Sequence, residues 1–174
     1  MALLSVITAP DPRLKIKCRP VEAVDDSVRR LMDDLLATMY SAPGIGLAAP
    51  QVGDDRRVLV LDVARENEPA QPLRIANPEI IWTSAEEILH EEGCLSVPEH
   101  YAEVMRPAEV KVRYLDYQNE IRELHAKDLL AVCLQHEMEH LDGVLFIDHL
   151  SIVKRDIIVR KLVKLRKAET REPV

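Results

Sequence analysis

The alternation of apolar and polar positions divides the chain into three helical segments with strand-like segments between the first two. In the first helical segment, six apolar residues recur at three- and four-residue steps and build one apolar face: Val28, Leu31, Met32, Leu35, Leu36 and Met39. The pattern predicts a helix over Val24–Tyr40, with Asp25, Asp26 and Ser27 as candidate caps. The Pro and Gly residues of segment 41–46 are expected to end this helix.

The region between the first two helical segments is rich in β-branched and alternating apolar residues, which is typical of strands. Five strands are predicted: Arg57–Val63, Leu73–Trp82, Glu86–His90, Glu103–Tyr117 and Glu120–His125. The last two are close enough in sequence to form a hairpin. Strands first, with helices around them, indicate an α+β fold.

The second predicted helix, Lys127–Leu141, carries apolar residues and two histidines on one face. That face contains Leu129, Val132, Cys133, His136 and His140. Ile152–Ala168 is predicted as a third, amphipathic helix. The expected fold is α+β, with antiparallel sheets packed around a central helix that carries an H-E-x-x-H motif and with an amphipathic C-terminal helix. Residues 1–174 are expected to form one domain, because chains of roughly 100–200 residues usually do.

Composition narrows the classes of function. The formal net charge of −7 argues against specific DNA binding, although seven basic residues and one acid lie between Lys154 and Lys167. Three cysteines without a C-x-x-C pair do not form a disulfide framework and fit a reducing compartment. No apolar run reaches the roughly 18–20 residues that cross a bilayer, and no signal peptide is recognisable. The expected location is therefore cytoplasmic.

The strongest local motif is H-E-x-x-H, formed by His136, Glu137 and His140 on the second predicted helix. Two imidazoles four residues apart project from adjacent turns and can bind one metal ion. Glu137 then lies beside the metal, which suits a base that acts on water there. The alternative is a chance grouping of two surface histidines near a glutamate.

A catalytic metal site normally has three protein ligands and one open position. In the longer pattern H-E-x-x-H-x-x-G-x-x-H, the third histidine is replaced here by Phe146, and His149 lies three residues too late. A downstream glutamate stays open as a ligand, but Cys94 is the better candidate. The alternative for Cys94 is a small core residue.

With these residues in view, the sequence resembles the peptide deformylases. Three motifs carry the resemblance, in matching order and spacing: GIGLAAPQ at 44–51, EGCLS at 92–96 and QHEMEH at 135–140. The resemblance extends from Pro12 to the terminal helix. It implies hydrolysis of the formyl group from N-formylmethionyl nascent peptides, with release of formate.

The resemblance also implies the roles of individual residues. Three residues would hold one divalent metal ion: Cys94, His136 and His140. Fe(II) is the expected metal, with zinc or nickel able to replace it. The Gln51 side chain and the Leu95 backbone N–H would stabilise the oxyanion, and Glu137 would transfer protons. An ion pair between Glu92 and Arg106 would brace the Cys94 segment.

The methionine side chain of such a substrate needs an apolar slot. Four residues could form it: Ile45, Leu129, Val132 and Cys133. Gly46, together with Gly44, would let a peptide backbone pair with this loop as an added strand. The alternatives are ordinary core packing for the apolar residues and a plain helix-ending turn for the glycines.

Three positions depart from the family pattern. Glu139 stands where the family usually has Asp, Tyr101 where one common branch has Arg, and His90 where an aliphatic residue is usual. No site is assigned to three other histidines: His100, His125 and His149.

Two competing functions stay open. The first is a zinc endopeptidase of the H-E-x-x-H type, which would use a third His or Glu ligand and would not need Cys94 or Gln51. The second is a non-catalytic binding module that works through the basic helix Ile152–Ala168. In the family, such a helix resembles one that docks on the ribosome, and the alternative is an ordinary solvated helix face.

Overall fold

A computed structural model describes residues 1–171. Within this range there are three α-helices: α1 (Asp26–Ser41), α2 (Asp128–Leu141) and α3 (Ile152–Glu169). Each lies within two residues of its predicted bounds. The predicted domain runs to residue 174, and its last three residues lie outside the described range. Antiparallel sheets and a C-terminal helix confirm the α+β prediction.

Seven strands are present within residues 1–171. They are β1 (Gly46–Ala48), β2 (Val58–Leu61), β3 (Leu73–Thr83), β4 (Glu87–Cys94), β5 (Val97–Pro107), β6 (Glu109–Leu115) and β7 (Ile121–Lys127). Five form an antiparallel sheet in the order β1-β2-β3-β6-β7, and β4 pairs with β5 in a separate two-stranded sheet. The predicted hairpin is confirmed as β6–β7, in which Leu115 pairs with Ile121.

One sequence prediction about strands is wrong, and one strand was missed. The segment Glu103–Tyr117 is not one strand, because β5 ends at Pro107 and the chain then passes from the small sheet to the large one. Proline lacks the N–H that would continue the ladder. Strand β1 was missed because its three residues are too few to show a period.

Helix α1 packs its apolar face against β1 and β2. Of the three candidate caps, Asp25 is the N-cap, and its carboxylate accepts a hydrogen bond from the Val28 N–H at 2.9 Å. The Gly44 N–H donates to the Met39 carbonyl and closes the last turn, so the chain leaves the helix directly into β1. The glycine-rich segment therefore ends a helix and starts a strand.

Helices α2 and α3 are packed very differently. Helix α2 contacts both sheets, through β1, β2, β6 and β7 on one side and β5 on the other. Helix α3 contacts β5 and the 3-10 helix Phe146–His149, and Leu162 is its one buried residue within the described chain. Four of its apolar residues are exposed: Ile152, Val153, Ile157 and Leu165. The buried stripe of α3 is therefore narrow, and several of its apolar side chains face solvent.

Within residues 1–171, no helix combines the length and the apolar character that crossing a membrane requires.

Candidate active site

The three predicted metal ligands lie together at the junction of β4 and α2. The Cys94 Sγ is 3.3 Å from the His140 Nε2, which is 3.2 Å from the His136 Nε2. All three donor atoms lie within 4.8 Å of one another. Metal–nitrogen bonds of about 2.1 Å at a tetrahedral angle separate their donors by about 3.4 Å, so this donor set fits one ion.

Local packing explains how Cys94 reaches the helix. The β4–β5 pairing is irregular between Gly93 and Cys94, which pairs with Val97. The Tyr101 ring lies against Gly93 so closely that a Cβ there would be 2.5 Å from a ring carbon. The Ser96 N–H donates to the Cys94 Sγ at 3.4 Å. Glycine at position 93 leaves room for the Tyr101 ring, and the irregular pairing places the sulfur beside the histidines of α2.

The His136 ring is held by a buried ion pair. Its Nδ1 lies 2.8 Å from the Glu92 Oε1, and the Arg106 guanidinium forms two hydrogen bonds to Glu92. Burial raises the pKa of Glu92, but hydrogen bonds from Arg106 and His136 outweigh it and lower that pKa to about 2. The ionised Glu92 accepts the His136 Nδ1 proton, and the Nε2 lone pair then faces Cys94 and His140.

The two histidines differ electrostatically. Burial lowers the pKa of His136, but hydrogen bonds to Cys94 and Glu92 outweigh it and raise that pKa well above its usual value. Burial, and then the nearby charge of His136, lower the pKa of His140 well below its usual value. A neutral imidazole is the form that binds a metal ion, so a metal at these donors would displace the second proton that the raised pKa favours on His136.

Glu137 is 4% exposed and lies against β1. A Cβ on Gly46 would come within 2.8 Å of the Glu137 Cγ, so only glycine leaves room for this side chain. Burial, reinforced by the charge of Glu92, raises the pKa of Glu137 to about 7. Its Oε2 is buried and has no hydrogen-bond partner among residues 1–171. A carboxyl group in this state can both accept and return a proton near neutral pH.

Gln51 is fixed at both ends of its amide. Its Oε1 accepts a hydrogen bond from the Ala48 N–H at 2.9 Å. Its Nε2 is 3.1 Å from the Ser96 Oγ and 3.5 Å from the Cys94 Sγ. The amide NH₂ therefore faces Cys94, one of the predicted metal ligands. Leu95 lines the same cavity.

A cavity of about 450 Å³ opens beside these residues. All five residues predicted to bind the substrate line it, the four of the apolar slot and Gly46: Ile45, Gly46, Leu129, Val132 and Cys133. The Cys133 thiol donates to the Ile45 carbonyl at 3.6 Å, and burial raises its pKa well above the usual value. Tyr101 and His90, two departures from the family pattern, also line the cavity.

Sequence reasoning missed several supporting residues. Phe146, considered only as a failed ligand, stacks on the His136 ring at 6.1 Å between centroids. Ser96 contacts both Cys94 and Gln51. Glu139 and His149 form a hydrogen bond next to Arg106. Ser96 and Glu139 had a signal in the sequence, as parts of the EGCLS and QHEMEH motifs.

Known proteins resemble the chain along nearly its whole length. The polypeptide deformylase family model matches residues 3–156. A peptide deformylase of Phenylobacterium zucineum is 58% identical over 168 residues, which cover 97% of this chain and 99% of that protein.

Solved structures give the same picture. The crystal structure of the Ehrlichia chaffeensis peptide deformylase superposes with a TM-score of 0.93 at 40% identity, covering 97% of this chain and 99% of that one. The structure of the same organism's enzyme in complex with actinonin superposes with a TM-score of 0.90 at 43% identity. The match covers 94% of this chain and 98% of that one.

Proposed function

The chain belongs to the polypeptide deformylase family, whose reaction is removal of the N-formyl group from nascent peptides, and we propose which of its residues carry that reaction out. The observation that carries the proposal is the grouping of three donor atoms beside a buried acid. The donors belong to Cys94, His136 and His140, and the acid is Glu137.

These three donors would hold one divalent metal ion. When bound, the ion supplies the Lewis acidity that polarises the formyl carbonyl and lowers the pKa of water. We propose Fe(II) as the metal, with zinc or nickel as replacements, because the resemblance implies it. The ligand chemistry is compatible with this choice, since thiolate and imidazole donors suit several divalent ions.

Glu137 would be the general base and then the general acid. It accepts a proton from the attacking water and returns it to the amine that leaves as the formyl C–N bond breaks. Its pKa of about 7 allows both steps near neutral pH. The absence of a side chain on Gly46 leaves room for the carboxylate, and Glu137 lines the cavity.

Gln51 and Leu95 would stabilise the oxyanion that develops on the formyl oxygen. The Gln51 amide is tied through its oxygen to Ala48 and through one N–H to Ser96, and its second N–H, which faces the Cys94 sulfur, would donate to the oxyanion. The Leu95 backbone N–H is proposed as the second donor. Donors of this kind contribute roughly 3–4 kcal/mol each to transition-state stabilisation.

The peptide would bind along β1, with its methionine side chain in the apolar slot. Strand β1 is at one edge of the five-stranded sheet in the described chain, so an extended peptide can pair with it. The slot residues come from the start of α2 and from Ile45, and all face the same cavity: Ile45, Leu129, Val132 and Cys133. Helix α2, which contacts both sheets, is the central helix of this arrangement.

The zinc endopeptidase alternative would need a third His or Glu ligand. Among residues 1–171, the one three-donor group of His, Cys, Asp or Glu is completed by Cys94. His149 instead contacts Glu139, at 2.8 Å. The donor set therefore favours the deformylase mechanism.

The test uses the full chain, purified without oxygen, with metal content from elemental analysis and formate release from formyl-Met-Ala. We expect about one metal ion per chain, formate release, and no cleavage of an internal peptide bond. Cys94→Ala should lose the metal or the activity. Cys18→Ala is the matched control, since Cys18 is a buried cysteine that is not one of the three donors. Metal and activity intact in Cys94→Ala would overturn the ligand assignment.

We also propose a cytoplasmic enzyme of one domain, residues 1–174, that docks on ribosomes through the basic face of α3. The exposed basic residues of α3 support docking to rRNA phosphates. Cosedimentation of the full chain with ribosomes should weaken steeply as salt concentration rises. Retention that is independent of salt would contradict a phosphate contact.

A further inference from the structure

His149 lies outside the donor group but is connected to it through charged side chains. Its Nε2 is 2.8 and 2.9 Å from the two carboxylate oxygens of Glu139. A carboxylate can only accept, so the imidazole donates from Nε2. The side chains of His149 and Glu139 are 36% and 26% exposed, so the pair sits at the edge of the core.

Glu139, which His149 holds, in turn contacts the buried guanidinium of Arg106. Arg106 is 3% exposed, and its Nη1 and Nη2 each lie 3.1 Å from an oxygen of Glu139. The Nε and Nη2 of the same guanidinium bind Glu92. Because a guanidinium is planar and rigid, its contact with Glu139 fixes the plane in which it meets Glu92.

The chain of contacts ends on a metal-donor residue. Glu92 accepts from the His136 Nδ1 at 2.8 Å. The 3-10 helix that ends with His149 begins with Phe146, which stacks on the same His136 ring. One short helix therefore contacts His136 directly through Phe146 and indirectly through His149.

We propose that His149 is a positioning residue of the metal site, which acts through Glu139, Arg106 and Glu92 to orient His136. The inference rests on the proposed metal site. Loss of the hydrogen bond from His149 frees Glu139 to move toward solvent, and Arg106 then loses the partner that fixes its plane. The His136 ring becomes less well oriented, and the bound metal is released faster.

The experiment compares full-length chains loaded with cobalt(II) as a probe. His149→Phe removes the donor and keeps a ring, whereas His149→Gln keeps an N–H donor at a similar position. His125→Phe is the matched control, because the His125 Nε2 also contacts a glutamate, at 2.6 Å from Glu109, and its side chain is 39% exposed. The measurements are the rate of cobalt release to a chelator, the visible spectrum, and kcat and KM.

For His149→Phe we expect cobalt release faster by about three- to tenfold, less than the roughly 10- to 100-fold expected when a direct partner of a ligand is removed. The visible bands should shift, and kcat should fall with KM unchanged. His149→Gln should behave like the wild type, as should His125→Phe. If His149→Phe does not fold, Glu139→Gln keeps the length of the side chain, removes the carboxylate that joins His149 to Arg106, and is judged by the same measurements.

Wild-type release rate and spectrum in His149→Phe would overturn the inference, as would equal changes in His125→Phe. These outcomes differ from failure of the proposed function. In that case the wild-type chain itself would bind no cobalt or release no formate, and the inference would fall with it.

Discussion

Helices α2 and α3 both carry many polar residues, but α2 is mostly buried and α3 is mostly exposed. Ten of the 14 residues of α2 are buried, and these include Gln135, His136, Glu137 and His140. Of the 18 residues of α3, Leu162 alone is buried. Polar side chains in α2 lie between two sheets, whereas those of α3 lie mostly in solvent.

This difference decides what each polar group contributes. A buried charge is costly unless a partner compensates for it, so in α2 His136 and Glu139 have definite partners in Glu92 and Arg106. An exposed charge is already solvated and contributes little to stability. We therefore expect substitutions around α2 to have large and specific effects, and substitutions of α3 charges to have small ones.

The largest expected effect is on catalysis by Glu137. Glu137→Gln keeps the shape of the side chain and removes its ability to accept a proton, so kcat should fall by about 10²- to 10⁴-fold. Metal content should stay at the wild-type level, because Glu137 is not among the three donors. Formate release and elemental analysis of the same preparation measure both quantities. Near-normal kcat with metal bound would exclude Glu137 as the acid/base.

The next largest effect concerns the ion pair that braces α2. Arg106→Met leaves Glu92 buried without its main partner, which should lower the free energy of unfolding by about 3–5 kcal/mol. Arg113→Met is the control, since Arg113 and Glu123 are about half exposed and their pair should contribute less than about 1 kcal/mol. Urea unfolding of both variants gives the comparison. Equal losses of unfolding free energy in the two variants would mean that burial does not determine how much an ion pair contributes to stability.

The same contrast explains which features were predictable from the sequence. The α2 motif was readable because its histidines are four residues apart on one helix, and helical geometry alone brings them together. Cys94 is 42 residues before His136 in sequence. Its nearness depends on the β4–β5 bend, so from the residues alone it was only the better candidate.

Other features depended on tertiary contacts that no local period reports. Strand β1 exists because β2 pairs with it, and the break at Pro107 exists because β5 and β6 belong to different sheets. The contact of His149 with Glu139 depends on where the 3-10 helix docks beside α2. The bounds of α3 were predicted well, but its sparse packing was not, since apolar spacing does not say how much surface a neighbour covers.

Within α3, buried Leu162 can be compared with exposed Leu165. Leu162 is 3% exposed and belongs to a core cluster with Leu14 and Phe146. Leu162→Ala should lower the free energy of unfolding by about 2–3 kcal/mol, at the low end for a buried leucine. Leu165→Ala, one turn further along at 43% exposure, is the control and should cost less than about 1 kcal/mol. If the two losses are equal, α3 is not anchored through Leu162.

The smallest effect on stability is expected for substitutions of the exposed charged residues of α3. Lys161 and Lys164 are exposed, so replacing both with Gln should change the free energy of unfolding by less than about 0.5 kcal/mol. The kcat and KM for formyl-Met-Ala should be unchanged, because neither lysine lines the catalytic cavity. A tenfold loss of kcat in the double variant would mean that α3 charge acts on the site. Unchanged kcat with weaker ribosome cosedimentation would place the effect of these charges on docking.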